Sequence, residues 1–294
     1  MKKIILRIVA VLVVAIIGVG GYVYYRVHNA ASQISSWDKN KASEDATNSG
    51  KPVTYLLMGA DTGALGRSYK GRTDTMMVVV LNPKTRTTTM VSIPRDTKIE
   101  IDDVPVKINA AYSYGSSTSA VDAVEKLADI KIDGYLLVNM GGLEKLVNAV
   151  GGVTVTSPLT FSYRGKSFAK NQSYNLNGAD ALRFSQMRYD DPDGDYGRQR
   201  RQQLVISAII AKVKDHPTQV LSGKFLNAVS DNLRTDISLS SIKDLALKYK
   251  SAAGAINMDQ MRGKGKQING SDFEVQPKSE ITRIHKVITT AQGK

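Results

Sequence analysis

No cysteine occurs anywhere in this chain of 294 residues. That absence excludes disulfide bridges, a thiolate nucleophile and cysteine-ligated zinc, and it suits an exported domain that does without disulfides. Histidine is nearly missing as well. His28, His216 and His285 are scattered, so neither a histidine-based triad nor a histidine zinc site can be built. Aromatic residues make up 6% of the chain with a single tryptophan, and the tyrosines among the basic side chains follow no ribonucleoprotein pattern. The segment Gly59-Ala60-Asp61-Thr62-Gly63 lacks the Gly-Lys-Ser/Thr ending of a phosphate-binding P-loop. No internal repeat is visible.

Charge of either sign is absent from Ile8 to Tyr25, which includes Val11-Leu12-Val13-Val14-Ala15-Ile16-Ile17. At helical rise this run nearly spans a bilayer core, and Arg7 can snorkel. A cleaved signal peptide is the competing reading, but the run is long for one and Asn29-Ala30-Ala31 is a poor cleavage site. A retained transmembrane helix within residues 1–26 is therefore expected, with Lys2, Lys3 and Arg7 holding the N-terminus in the cytoplasm. A polar stalk is expected over 27–51, and an extracellular domain over 52–294. The formal net charge is +13, of which Lys2, Lys3, Arg7 and Arg26 supply four. A basic domain ordinarily suggests nucleic acid. Outside the cell the available polyanions are instead lipid headgroups, phosphate-bearing wall polymers and lipid pyrophosphates, so no nucleic-acid partner is expected.

Beyond the stalk, strands and helices alternate. Val53–Met58, Thr75–Leu81 and Arg86–Ile93 read as strands, the last two joined by the turn residues Asn82-Pro83-Lys84-Thr85. A capping box at Ser119-Ala120-Val121-Asp122 opens a helix running to about Ala128. Tyr135–Met140 is a strand, and Leu143, Leu146, Val147 and Val150 form a helical stripe stopped by Gly151-Gly152. Val153–Val155 is a short strand, Arg198–Asp215 a long helix, and helices are also predicted over Ser240–Ala252 and Lys278–Ala291. A strand pair lies between them around Asn269-Gly270. The fold class is α/β, an α-β-α sandwich around a central mixed sheet.

The densest chemistry is Asp190-Asp191-Pro192-Asp193-Gly194-Asp195-Tyr196-Gly197-Arg198-Gln199-Arg200-Arg201, followed by Leu204-Val205-Ile206. At about 100° per residue Arg198, Gln202, Val205 and Ile209 share one helix face. Polar heads at a helix N-terminus and oil further along suit an amphiphile with an anionic head and a hydrocarbon tail. An ordinary amphipathic helix with a basic first turn would look the same. On this face Arg200 points away and Arg201 sits at the edge. Ser92-Ile93-Pro94-Arg95-Asp96 lies at a strand end, where ligand sites of α/β folds collect. Arg72-Thr73-Asp74-Thr75 opens another strand, and Asp61 follows the first. Asp61 and Asp74, at adjacent strand ends, can share a hard cation such as Mg²⁺.

Together these segments resemble the LytR-CpsA-Psr family. The resemblance rests on Leu56-Leu57-Met58-Gly59-Ala60-Asp61, Arg72-Thr73-Asp74-Thr75, Ser92-Ile93-Pro94-Arg95-Asp96 and Lys107-Ile108-Asn109-Ala110-Ala111-Tyr112. It continues through Gly151-Gly152-Val153, Met187-Arg188-Tyr189-Asp190-Asp191-Pro192 and Gly194-Asp195-Tyr196-Gly197-Arg198-Gln199, in the family's order, across about Val53 to Lys214. It implies a membrane-anchored phosphotransferase that moves a glycopolymer (teichoic acid, capsule or another wall polysaccharide) from a polyprenyl-pyrophosphate carrier to peptidoglycan. By the same resemblance Asp61 and Asp74 hold Mg²⁺, and Arg72, Arg95, Arg188, Arg198 and Gln202 bind the pyrophosphate. Arg72, Asp74 and Arg95 are the implied catalytic residues, and Val205 and Ile209 line a tunnel for the lipid. The general base is open between Asp74 and Asp96. Many members carry arginine two positions before Arg188, where this chain has Gln186, and compensation by Arg183 or Arg201 is open. A polyprenyl-pyrophosphate hydrolase and a non-catalytic binder or regulator of wall assembly are the competing functions.

Overall fold

The computed structural model describes residues 41–60, 71–216, 225 and 232–294. The expected membrane span at 8–25 and the carboxylate Asp61 lie outside the described residues. Among those described, no helix is long and apolar enough to cross a membrane.

The chain runs through α1 (Lys41–Asn48), β1 (Val53–Ala60), β2 (Thr73–Asn82), β3 (Thr87–Ser92) and a ribbon of β4 (Lys98–Ile101) and β5 (Val104–Lys107). A 3-10 turn and α2 (Ala111–Tyr114) lead into α3 (Ser117–Ala128), β6 (Gly134–Asn139) and α4 (Met140–Ala149). Then come β7 (Val153–Thr156), β8 (Phe161–Tyr163), β9 (Lys166–Phe168), β10 (Ser173–Leu176), α5 (Gly178–Gln186) and the long α6 (Asp195–Asp215). The C-terminal part holds β11 (Leu233–Thr235), α7 (Leu239–Lys248), a 3-10 turn (Lys250–Gly254), β12 (Ala255–Gln260), β13 (Lys264–Ile268), β14 (Ser271–Val275) and α8 (Lys278–Ala291).

Six strands form the main sheet in the order β11-β6-β1-β2-β3-β12. β1, β2 and β3 are antiparallel neighbours, while β6 joins β1 and β12 joins β3 in parallel. The sheet is therefore mixed, as the alternation of elements predicts. The β2–β3 turn is pinned by Asn82, whose Oδ1 accepts from the backbone N–H of Lys84 at 3.0 Å and of Thr85 at 3.1 Å. That is the local bonding for which asparagine is favoured in turns.

One face of the sheet presents Leu56, Met58, Met76, Val78, Val80, Val91 and Leu137, all buried against Ala120 and Val124 of α3 and Ile284 and Ile288 of α8. Each such side chain taken fully out of water contributes about 1.5–3 kcal/mol before entropy is counted. The opposite face presents Tyr55, covered by Ile242 and Leu245 of α7 and by Ala46 of α1. Helices thus lie on both sides.

Local signals place several boundaries. Ser116, rather than Ser119, caps α3, accepting from the Thr118 N–H at 3.2 Å. Gly151 and Gly152 end α4 at φ +79° and +86°, a region that favours glycine. The polar stretch before residue 52 departs from the expected stalk. Its last part, α1, is docked: Thr47 is fully buried and bonds Ser241 Oγ at 3.1 Å, and Lys248 Nζ donates to Asn48 O at 2.9 Å. Long-range polar contacts hold this helix in place, and hydropathy periodicity does not register them.

A second core lies beside the sheet. Phe161, Phe168 and Phe184 pack with Val147, Val153 and Val205, the rings 4.8 Å (Phe161–Phe168) and 5.2 Å (Phe168–Phe184) apart. α6 joins the two bodies. Its Gln203 Nε2 donates to the Asp259 carbonyl at 2.8 Å on β12, while Val205 enters the aromatic core.

Candidate functional site

The loop after β3 turns at Pro94 and presents Arg95 and Asp96. Its shape is fixed from below by the Lys107–Tyr112 segment: the Asn109 N–H donates to the Arg95 carbonyl at 3.2 Å, and Lys107 Nζ pairs with Asp96 at 2.7 Å. Across the sheet end, Arg95 Nη1 donates to Asp74 Oδ1 at 2.8 Å. Arg198, in the first turn of α6, donates from Nη2 to the Asp74 carbonyl at 2.9 Å and pairs with Asp195 Oδ1 at 2.8 Å. The same carboxylate oxygen lies 3.8 Å from Arg95 Nε and 4.0 Å from Arg188 Nε. Three guanidiniums from two stretches of sequence therefore converge on the Asp195 carboxylate, and Arg95 also holds that of Asp74.

This arrangement leaves capacity for an anion. The donors Arg95 Nε and Arg198 Nε are buried with no hydrogen-bond partner among the described residues. Burial alone would pull the Arg95 pKa down, but the pull of Asp74, with Asp195 and Asp96, outweighs it and the net displacement is upward. For Arg198 burial wins: Asp195 offsets it only in part, neighbouring Arg95 adds to the downward push, and the pKa falls. Arginine stays charged under either displacement. An incoming anion relieves the Arg95–Arg198 repulsion.

Next to this cluster the second face of the sheet is less completely covered at some positions than at others. Leu57 and Val79, on the central strands, are half-buried and belong to no packed cluster of the described residues, as are Ile206 and Ile210 of α6 and Met258 of β12. Interior strands normally bury such side chains. Leu57, Met77 and Leu136 lie in register, as do Tyr55 and Val79, so the apolar strip runs along the sheet from the Asp74 end.

Asp74, Arg95, Arg188 and Arg198 meet in one cluster, with Gln202 one turn beyond Arg198. Arg72 is exposed just ahead of β2, and no ion pair joins it to another described residue. Arg188 stacks at 5.1 Å over the ring of Tyr189, which is 89% exposed. Two readings of the helix face need correction. Val205 is fully buried within the aromatic core rather than turned to a lipid path, and Ile209 packs against the same core; the 100° rule gives a direction, not the neighbour met there. Arg201 is not at an edge. It is 0% exposed, pairs with Asp191, donates to the Phe184 carbonyl at 3.0 Å and to the Met187 carbonyl, and lies 5.1 Å from the Phe161 ring. Arg183, the other basic residue near Gln186, pairs with Asp180 at 2.8 Å. Arg200 is exposed, as expected.

Asp195 as the shared anchor is visible only in three dimensions, as is a latch behind it. Tyr196 Oη donates to Glu274 of β14, and the Gly263 N–H donates to Glu274 Oε1 at 2.8 Å. Burial, then that bond to Glu274, raises the Tyr196 pKa far above the ordinary tyrosine value. For a metal, Asp74 offers a hard oxygen donor. Among the described residues no group of three or more His, Asp or Glu side chains could hold an ion. An ion of the Mg²⁺ kind needs only one or two protein carboxylates and completes its shell with substrate phosphate oxygens and water, so Asp74 is the described residue that could contribute to holding one.

The strand end of this α/β sheet gathers three arginines around the carboxylates of Asp74 and Asp195, an arrangement whose chemistry suits an anionic ligand. The family model "LytR_cpsA_psr family" matches residues 21–289. This chain belongs to that family. It is 40% identical over 284 residues to "Polyisoprenyl-teichoic acid--peptidoglycan teichoic acid transferase TagU" of Enterococcus faecalis, covering 96% of this chain and 93% of the relative. The crystal structure of Bacillus subtilis TagU superposes with a TM-score of 0.65 at 34% identity, covering 83% of this chain and 98% of that one. A structure described as TagT bound to LI-WTA gives 0.69 at 25% identity, covering 84% and 92%.

Proposed function

We propose that this protein is a membrane-anchored, outward-facing transferase that moves an anionic wall glycopolymer from a polyprenyl-pyrophosphate carrier to peptidoglycan. The carrying observation is the cluster of Arg95, Arg188 and Arg198 on Asp74 and Asp195, placed where an apolar strip of the sheet begins. The names of the relatives, which describe teichoic acid transfer, support the same reading, as does the uncharged run at 8–25 for the anchor.

In this reaction a sugar hydroxyl of peptidoglycan attacks the phosphorus that carries the polymer. The new P–O bond forms as the bond to the bridging pyrophosphate oxygen breaks, the hydroxyl proton passes to a base, and polyprenyl monophosphate leaves. Such transfer depends mainly on positioning and on stabilising charge that spreads in the transition state. Arg95 and Arg198 are held in advance by Asp74 and Asp195, so little reorganisation is needed when the pyrophosphate arrives. Arg72 and Arg188, more exposed, close over it from the rim, and Gln202 adds a polar contact. Asp74, with Asp61, would hold Mg²⁺, which supplies further neutralisation of phosphate charge. Leu57, Val79, Ile206 and Ile210 would receive the prenyl chain, in place of Val205.

The test is purified protein with lipid-linked polymer, with and without peptidoglycan oligomers. A covalent polymer–glycan product is expected; release without attachment would mean a hydrolase. Binding without turnover that survives loss of Asp74 and Mg²⁺ would mean a non-catalytic binder. Arg95→Ala is expected to abolish transfer while leaving thermal unfolding nearly unchanged, and near-normal transfer by that variant would remove Arg95 from its role.

A further inference from the structure

Arg198 stands in the first turn of α6. Lys212 lies fourteen residues on, about 21 Å along the axis at 1.5 Å per residue. There a cleft of about 480 Å³ opens between the end of α4, the β7–β10 ribbon and α6. Asn148, Thr154, Asn175, Asn177 and Lys212 line it.

The hydrogen bonding of this cleft is one-sided. Asn148 Oδ1 accepts from the Gly178 N–H at 2.8 Å, Asn177 Oδ1 from the Asp180 N–H at 2.9 Å, and Asn175 Oδ1 from the Thr154 hydroxyl at 2.7 Å. All three carboxamide oxygens are thus engaged within the protein. The carbonyls at the end of α4 are engaged too: Asn148 O accepts from the Gly151 N–H at 3.1 Å, and Val147 O from the Gly152 N–H at 2.8 Å. The remaining side-chain polar capacity is mostly amide N–H donors and the Lys212 ammonium, which forms no ion pair with a described residue. No carboxylate lines the cleft. The nearby Asp180 is neutralised by Lys166 and Arg183, each at 2.8 Å.

A neutral sugar brings hydroxyl donors as well as acceptors. Its donors would find few free acceptors here, and a polar group left unpaired on binding is costly. A phosphodiester brings acceptors only and one negative charge, which matches donors around one ammonium. The volume is in the range of small-ligand sites and suits one or two repeats of a polymer.

We propose that this cleft is a second binding site for the donor, taking a phosphodiester-linked unit of the glycopolymer some distance along the chain from the pyrophosphate. The inference rests on the transferase reading above and adds to it a site that senses polymer length and charge.

The experiment is calorimetric titration of the full chain in detergent with a lipid-free tetramer of glycerol phosphate. The tetramer is expected to bind, more weakly at high salt. Lys212→Glu is expected to weaken it at least tenfold and Asn175→Ala about threefold, with unchanged thermal unfolding. The Lys212→Glu loss should persist in an Arg95→Ala background, which separates the cleft from the arginine cluster. Lys212→Glu should keep turnover of a donor bearing a single repeat and lose the preference for longer donors. Unchanged tetramer affinity in Lys212→Glu overturns the proposal, and so does equal Lys212-dependent binding of a neutral dextran or of peptidoglycan oligomers. If Lys212→Glu behaves as expected while the protein attaches no polymer to peptidoglycan, the cleft stands and the transferase reading falls.

Discussion

Replacing Arg201 by methionine tests whether its guanidinium is structural. Arg201 is fully enclosed, and its partner Asp191 is 7% exposed. The substitution removes the charge partner of Asp191 and the donors to the Phe184 and Met187 carbonyls. Breaking a buried pair from one side costs about 3–5 kcal/mol, because the remaining charge stays buried and unpaired. For a domain of this size about 1 kcal/mol corresponds to a 2–4 °C shift, so Tm is expected to fall by roughly 6–20 °C. The assay is thermal unfolding followed by circular dichroism, with urea unfolding to confirm that the slope is unchanged. The double variant Arg201→Met/Asp191→Leu should recover part of the loss, since no lone charge remains. Recovery should be incomplete because Asp191 Oδ1 also accepts from the Asp193 N–H at 2.9 Å. A fall of less than about 2 °C in the single variant, against the 2–4 °C expected per kcal/mol, would show that the guanidinium is not a buried structural support.

Three further outcomes follow from the same geometry. Asp195→Asn should lower transfer on the order of 100-fold through displaced arginines with little loss of Tm; equal activity would show that Arg95 and Arg198 need no shared anchor. Gly197→Ala should destabilise the start of α6 by about 1–3 kcal/mol, because a Cβ there would stand 1.9 Å from Asp191 Oδ2; an unchanged Tm would refute that contact. Arg283 hydrogen-bonds and so lowers the Glu280 pKa, and at Asp259 the same arginine overcomes a burial effect of opposite sign, so both carboxylates sit below their ordinary values. A depressed carboxylate adds stability above its unfolded pKa of about 4, lost as pH falls through the folded value. Arg283→Met should therefore flatten the acid limb of a Tm-versus-pH curve, and an identical limb in both proteins would contradict this.

Much of the fold was legible because its signals are local. Asn82 and Gly151-Gly152 act through their own backbone, and α8 begins and ends where its apolar spacing does. Two of the missed elements answer to partners far along the chain, whereas the missed β4–β5 and β8–β9 hairpins are local but too short to show a period. α1 is polar and is held by Ser241 and Lys248; β12 is an edge strand defined by pairing with β3. In the site, the residue types of the Arg72–Asp74, Arg95–Asp96 and Arg188–Arg198 segments already pointed to phosphate chemistry. Their division of labour did not appear in the spacing. Arg198 and Arg201 stand three residues apart on one helix, yet one faces the cluster and the other is sealed against Phe161.

The sequence by itself determined the family, the mixed α/β class and the residue types of the proposed site, since these depend on composition, periodicity and short motifs. Only the tertiary structure decided which arginines gather in the cluster and which is sealed in the core, and that Asp195 ties the cluster together. Burial and ion pairing depend on what lies opposite a side chain, and that neighbour comes from elsewhere in the chain.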